Sequence, residues 1–253
     1  MSPTIISMVV FACTFAGVLA GMWLRAALPE HHLSNESMDT VKLGIGLIAT
    51  MTALVLGLVT ASAKGSFDAL NKELKQSAVD VLKLDRILAR YGPESKEIRE
   101  AMHYALEKRL EMAWSQKASR AEILHALEVA RGPEGVIDGI RGLSPRNDDQ
   151  RWLRSRALDL GEALLEARWV VASSLGTSVP VPFLVVLVFW LTIIFTSFGL
   201  LAPRNATAIA ALFVCTLCVA GAIFLILEMD SPFEGLIKVS PDALRYAYSR
   251  INQ

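Results

Sequence analysis

Long apolar runs alternate with polar segments along this chain. Four of the runs contain no Asp, Glu, Lys, Arg or His, and they lie at Thr4–Leu24, Leu43–Ala63, Val179–Leu201 and Ala206–Leu227. A helix of about 20 apolar residues is long enough to cross the hydrocarbon core of a bilayer. The pattern therefore predicts a membrane protein with four spanning helices.

The segment between the second and third runs, residues 64–178, follows a helical period instead. Its apolar side chains first recur every three or four residues, at Phe67, Leu70, Leu74, Ala78, Val81, Leu84 and Leu88. This period is typical of an amphipathic helix. No proline occurs between Val41 and Gly92, so the second span is predicted to continue as one helix of about 50 residues that stops at Gly92 and Pro93.

Further helices are predicted in the same segment. They cover residues 93–116 and 120–131, a short helix within the Gly- and Pro-rich stretch after residue 131, and a last helix that begins near Asp148. Strand signals are few. The predicted fold class is all-α, a four-span helical membrane protein with a helical cytoplasmic domain.

Basic residues predict how the chain crosses the membrane. The two short loops between paired spans hold only Arg25, Lys42 and Arg204, whereas the remaining Lys and Arg lie on the other side. Cytoplasmic segments carry the excess of Lys and Arg. We therefore expect cytoplasmic termini in a bacterial inner membrane. The divisions are residues 1–63 (spans 1 and 2), 64–178 (cytoplasmic helices), 179–229 (spans 3 and 4) and 230–253 (cytoplasmic tail).

Composition and charge exclude several classes of function. Of the 253 residues, 25 are basic and 25 acidic, so the net charge is zero and no nucleic-acid partner is indicated. Cys13, Cys215 and Cys218 all lie in predicted spans, where we expect them to pack as small apolar residues and bind no metal. No nucleotide-binding or catalytic motif is present, so we expect neither an enzyme nor a bound cofactor.

The second span carries a stripe of small and hydroxyl residues on one helix face. Its members recur in steps of four and three and are Gly46, Thr50, Ala53, Gly57, Thr60 and Lys64. Small residues at this spacing allow two helices to pack closely in lipid. The same stripe in a ring of identical helices would line a narrow, weakly polar pore. Both interpretations are open at this point.

Three segments carry a family resemblance: "LDRILARYGPE" at Leu84–Glu94, "PVPFLVVLVFWLTIIFTSFGLLAPRNAT" at Pro180–Thr207 and "LEMDSPFEGLIKVS" at Leu227–Ser240. They resemble a family of bacterial membrane proteins described as bestrophin-like. Bestrophins themselves are pentameric anion channels with four spans, and their second spans line the pore. The resemblance therefore implies a homo-oligomer in the lipid bilayer that conducts an inorganic anion such as chloride.

The end of the fourth span also resembles bestrophins. The matching residues are Glu228, Asp230, Pro232 and Phe233, for which the resemblance implies a regulatory role or a subunit contact. Calcium-gated bestrophins follow this motif with an acidic cluster, whereas this chain has Gly235 to Lys238 there. The alternative function is a non-conducting membrane anchor whose cytoplasmic helices bind a partner.

Overall fold

The computed structural model of the chain describes residues 2–29, 34–113, 132–174, 180–233 and 235–251. Every regular element in these ranges is helical, which confirms the predicted all-α class. The α-helices are α1 (Pro3–Ala27), α2 (Asn35–Tyr91), α3 (Lys96–Ala113), α4 (Gly132–Gly142), α5 (Asp148–Ser174), α6 (Val181–Leu201), α7 (Ala206–Met229) and α8 (Asp242–Arg250). The helix predicted at residues 120–131 lies outside the described residues.

Four helices, α1, α2, α6 and α7, are long and apolar enough to cross a membrane. The bounds of α1, α6 and α7 lie within a few residues of three predicted apolar runs. Helix α2 contains the remaining run and continues beyond it at both ends. The prediction of four helices that could span a membrane is thereby confirmed by length and composition.

Helix α2 is 57 residues long and ends where the sequence predicted. Gly92 follows it with a φ of 131°, which L side chains rarely adopt, and Pro93 then begins a 3₁₀ turn, Pro93–Ser95. The hydroxyl of Ser95 donates to the Leu88 carbonyl at 2.5 Å and so satisfies a carbonyl in the last turn of the helix.

The chain forms two compact units, which we name by composition. The apolar unit comprises Met1–Gly65 and Thr177–Asp230, and the polar unit comprises Ser66–Gly176 and Ser231–Gln253. The core of the apolar unit lies between α1, α6 and α7, and its buried side chains include Val10, Val18, Leu187, Leu191, Phe195 and Ile223.

Glycines set the contact between α1 and α6. A Cβ placed on Gly21 would lie 1.9 Å from the Thr196 carbonyl oxygen, and one on Gly199 would lie 2.1 Å from the Val18 carbonyl oxygen. Neither distance is possible between real atoms, so only glycine permits this approach. Close backbone packing of this kind is typical of helices in membranes.

Two arginines join the ends of the same helices. Arg25 of α1 donates to the carbonyls of Leu201 and Ala202, at 3.0 and 2.6 Å, and Arg204 donates to the Met22 carbonyl at 2.6 Å. The last carbonyls of a helix have no partner within the helix. Arg25 therefore satisfies two carbonyls at the end of α6, and Arg204 adds a bond back to the last part of α1.

The polar unit has its own core, built from α2, α3, α4, α5 and α8. Its buried side chains include Leu74, Leu84, Leu88, Ile98, Met102, Leu106, Ile140, Leu164 and Leu244. Two ion pairs lie beside this core. Arg99 bonds to Asp85 at 2.7 Å, and Arg168 bonds to Glu134 at 2.6 Å.

Candidate functional site

Helix α2 buries one narrow face within the apolar unit. Ile45, Thr52, Val59 and Ala63 are the buried positions of this stretch, and Val59 and Ala63 pack against Ile226 of α7. These four residues recur in steps of seven, seven and four, which places them on one side of a helix. The remaining circumference of α2 is left for other contacts.

The stripe of small residues lies on a different side of α2 from the buried face. Gly46, Thr50, Ala53, Gly57 and Lys64 are exposed, and Thr60 is half-buried. Added Cβ atoms on Gly46 and Gly57 would meet no atom within 4 Å. Among the described residues, the stripe apart from Thr60 therefore takes no part in packing between helices of the chain. Whether it lines a pore stays a prediction.

The hydroxyl groups of the stripe are bonded to their own helix. Thr50 donates to the Gly46 carbonyl at 2.8 Å, and Thr60 donates to the Leu56 carbonyl at 2.7 Å. A hydroxyl has one proton to donate, so in this arrangement each threonine presents only acceptor lone pairs and a methyl group. The face is neutral from Gly46 to Thr60, and a charged residue, Lys64, follows it.

A ridge of large apolar residues occupies a third side of α2. Its members are exposed over 51% to 78% of their surface and are Leu43, Leu47, Met51, Leu54 and Leu58. Consecutive helical residues are about 100° apart, so Met51 is rotated by that angle from Thr50 at nearly the same depth. This ridge was not among the features predicted from the sequence. The sequence pattern that could have revealed it is the recurrence of large apolar residues every three or four positions, next to the small residues of the stripe.

The four residues at the end of the fourth span belong to two units. In the apolar unit, Glu228 is buried, and Asp230 ends α7 with its backbone N–H donating to the Ile226 carbonyl at 3.2 Å. In the polar unit, Phe233 is part of the buried core, and the Pro232 carbonyl accepts from the Val239 N–H at 2.9 Å. A regulatory or subunit-contact role for these residues stays a prediction.

The three cysteines differ in exposure within the chain. Cys215 and Cys218 are exposed on α7, whereas Cys13 on α1 is half-buried. Packing of these cysteines as small apolar residues stays a prediction.

Comparison with known proteins assigns a family. A family model described as "Bestrophin-like domain" matches residues 12–244, which is nearly the whole chain. No curated protein matches the chain, and no solved structure matches it.

Proposed function

Because the chain belongs to the family of the bestrophin-like domain, we propose that it is a homo-oligomeric ion channel. Its α2 helices surround the ion path, and the conducted ion is an inorganic anion such as chloride. The channel lies in the bacterial inner membrane with cytoplasmic termini, and it catalyses no reaction. Five subunits is the number that the resemblance to bestrophins implies.

The observation that carries this proposal is the exposure of the small-residue stripe on α2. Gly46, Thr50, Ala53 and Gly57 are exposed although they lie on a helix long and apolar enough to span the membrane. Small side chains leave space for an ion path between neighbouring helices, and the threonine hydroxyl groups make the wall of that path weakly polar. A ring of such faces would form a narrow neutral pore of the kind that gates by losing water.

The distribution of charge supports conduction over coupled transport. None of the four predicted apolar runs contains an ionisable Asp, Glu or His, the residues that proton-coupled transporters use. Lys64, the last residue of the stripe, would add positive charge at one end of the path. That charge favours anions, as does the resemblance to bestrophins.

The faces that α2 leaves uncovered support the proposed oligomer. The described residues of one chain cover the face of α2 that includes Val59 and Ala63, and leave both the stripe and the large apolar ridge exposed. Packing between helices of neighbouring subunits could cover part of the ridge, and lipid could cover the rest. The stripe would then face the axis of the ring.

The direct test is halide flux in liposomes that carry the purified protein. Thr50→Trp places a bulky ring on the stripe, and we expect it to abolish flux with oligomer mass unchanged. Met51→Trp is the matched control, because it adds the same ring about 100° around the helix. Equal flux in both variants contradicts an α2-lined pore.

One observation favours the alternative function, a membrane anchor that binds a protein partner. The polar unit exposes Trp152, with 64% of its surface accessible. Exposed aromatic residues often mark protein contacts. Absence of flux in the wild-type protein, across pH and calcium concentration, would favour this alternative over the channel.

A further inference from the structure

One outer face of α5 combines acidic and apolar side chains. Glu162, Glu166, Trp169 and Val170 are exposed, and Leu165 is half-buried beside them. Neither glutamate forms an ion pair with any residue that the structure describes. We call these five residues the acidic face.

The acidic face lies opposite the side that α5 buries. The buried positions of α5 include Ala157, Leu160, Leu164, Ala167 and Val171, which recur in steps of three and four. At about 100° per residue, Glu162, Glu166 and Trp169 lie on the other side of the helix. The face therefore takes no part in the core of its own unit.

A groove between α2 and α5 has the opposite charge. Its apolar floor includes Leu82, Ile87 and Leu160, and its rim is basic. The rim residues are Lys83, Arg86, Arg90 and Arg156. We call this the basic groove.

Of the four rim residues, two are already paired within the chain and two are available for a partner's carboxylates. The paired residues are Lys83, which bonds to Asp80 at 3.1 Å, and Arg156, which bonds to Asp159 at 3.4 Å. Arg86 and Arg90 are exposed and have no ion pair with any described residue. They are four residues apart, which is one helical turn.

The acidic face and the basic groove match each other in spacing and chemistry. Glu162 and Glu166 are one helical turn apart, as are Arg86 and Arg90. Each surface also has an apolar part beside its charges, with Trp169 on the acidic face and Ile87 in the basic groove. Arginine and carboxylate form the strongest side-chain ion pairs, and Trp and Arg are enriched at protein interfaces.

We propose that the acidic face of one copy of this chain docks into the basic groove of a second copy. The occupant is a second copy because the complementary charges belong to the same chain. The contact joins two different surfaces, so each copy has one of each to offer its neighbours, and repetition closes a ring if the rotation permits. The inference rests on the proposed function, for which it supplies the contact between polar units.

A charge-exchange experiment on the full-length protein in detergent tests the docking. Native mass spectrometry is performed over a dilution series on the wild type, Glu162→Lys/Glu166→Lys, Arg86→Glu/Arg90→Glu and the fourfold variant. We expect each double variant to assemble at least about tenfold more weakly, since it places like charges together. The fourfold variant restores opposite charges and should assemble as the wild type does, which also shows that the substitutions permit folding.

The matched control is Glu97→Lys/Glu100→Lys on α3. It changes the net charge by the same amount as Glu162→Lys/Glu166→Lys, at exposed positions outside both surfaces, and it should leave assembly unchanged. A monomeric wild type, full assembly of the double variants, or failure of the fourfold variant to recover overturns the docking.

Flux measurements on the same variants test the proposed channel independently of the docking. A wild type that conducts, with double variants that assemble fully, retains the channel and overturns the docking. A wild type that does not conduct, with the expected loss and recovery of assembly, retains the docking and overturns the channel.

Discussion

Gly21 of α1 and Gly199 of α6 lie where the backbones of these helices meet. The hydrogen of each glycine takes a place that a Cβ could not occupy, because a Cβ would fall about 2 Å from a carbonyl oxygen of the other helix. Gly17, one turn before Gly21, faces Thr192 and Thr196 of α6. These glycines therefore determine how closely the two helices approach.

Substitution of Gly21 tests this contact. Gly21→Ala should force α1 and α6 apart and lower the free energy of unfolding by about 1–3 kcal/mol, the usual cost of overpacking. Thermal unfolding in detergent measures the change. Gly44→Ala is the control, because its Cβ meets no atom within 4 Å, and alanine there should be neutral or stabilising. Equal effects of the two substitutions would show that the close approach does not matter for stability.

The ion pair between Asp85 and Arg99 predicts an asymmetry between single and double substitutions. The Asp85 side chain is 1% exposed, so Asp85→Ala leaves Arg99 partly buried without its carboxylate. We expect a loss of about 3–5 kcal/mol in the free energy of unfolding. Asp85→Leu combined with Arg99→Met should lose much less, since no unpaired charge is left behind.

Chemical denaturation compares these variants with Lys96→Ala. Lys96 pairs with Glu100 at 3.8 Å, but both side chains are more than half exposed. An exposed pair of this kind contributes little, about 1 kcal/mol at most. A double variant as unstable as Asp85→Ala would mean that the pair itself, rather than the unpaired charge, controls stability.

The buried guanidinium group of Arg109 is a place where a substitution should stabilise the fold. Burial, and next the positive charge of Arg168, lower its pKa to about 10. Its Nη2 atom is buried and has no hydrogen-bond partner among the described residues. Because its pKa in the folded chain lies below the ordinary value of about 12.5 or higher, its charged form costs free energy in the folded state at every pH below about 10.

Arg109→Met removes this cost while keeping an apolar stem. At pH 7 it should raise the free energy of unfolding by about 1 kcal/mol, the lower end of the cost of an unpaired buried group. Arg141→Met is the matched control on a side chain that is 60% exposed, and it should change stability by less than about 0.5 kcal/mol. Loss of stability in Arg109→Met would show that its guanidinium group has a favourable partner.

Much of the fold could be predicted from the sequence because its signals are local. Hydrophobic runs define the helices long enough to span, and the three-to-four period from Phe67 to Leu88 predicts the extension of α2. Gly92 and Pro93 end that helix, because their backbone preferences act whatever surrounds them. None of these predictions requires knowledge of which helices are neighbours.

The contacts between helices could not be predicted in the same way. Gly17 and Gly21 form a small-xxx-small motif that signals close packing, but Gly199 as the facing residue is visible only once α1 and α6 are paired. Arg25 conflicts with the distribution of positive charge in our predicted orientation. In the structure Arg25 links α1 to the end of α6, because it donates to carbonyls more than 170 residues away in the chain.

The small-residue stripe shows the same limit at the candidate site. Its residues and spacing are evident from the sequence, but a stripe at this period is equally typical of helix packing. Only the fold shows that a Cβ added to Gly46 or Gly57 would meet no atom of another helix within 4 Å among the described residues. Contacts with a second copy would join surfaces that lie far apart along the chain, so no local sequence pattern reveals them.

The central claim, that α2 lines an ion path, is tested most directly by thiol modification during flux. Cys13, Cys215 and Cys218 are replaced by serine, and Thr50→Cys and Met51→Cys are compared in this background. A charged, water-soluble thiol reagent reacts with thiolates that water can reach. The account predicts rapid block of flux in Thr50→Cys and little effect in Met51→Cys. Block in Met51→Cys alone, or equal modification without block in both, would contradict it.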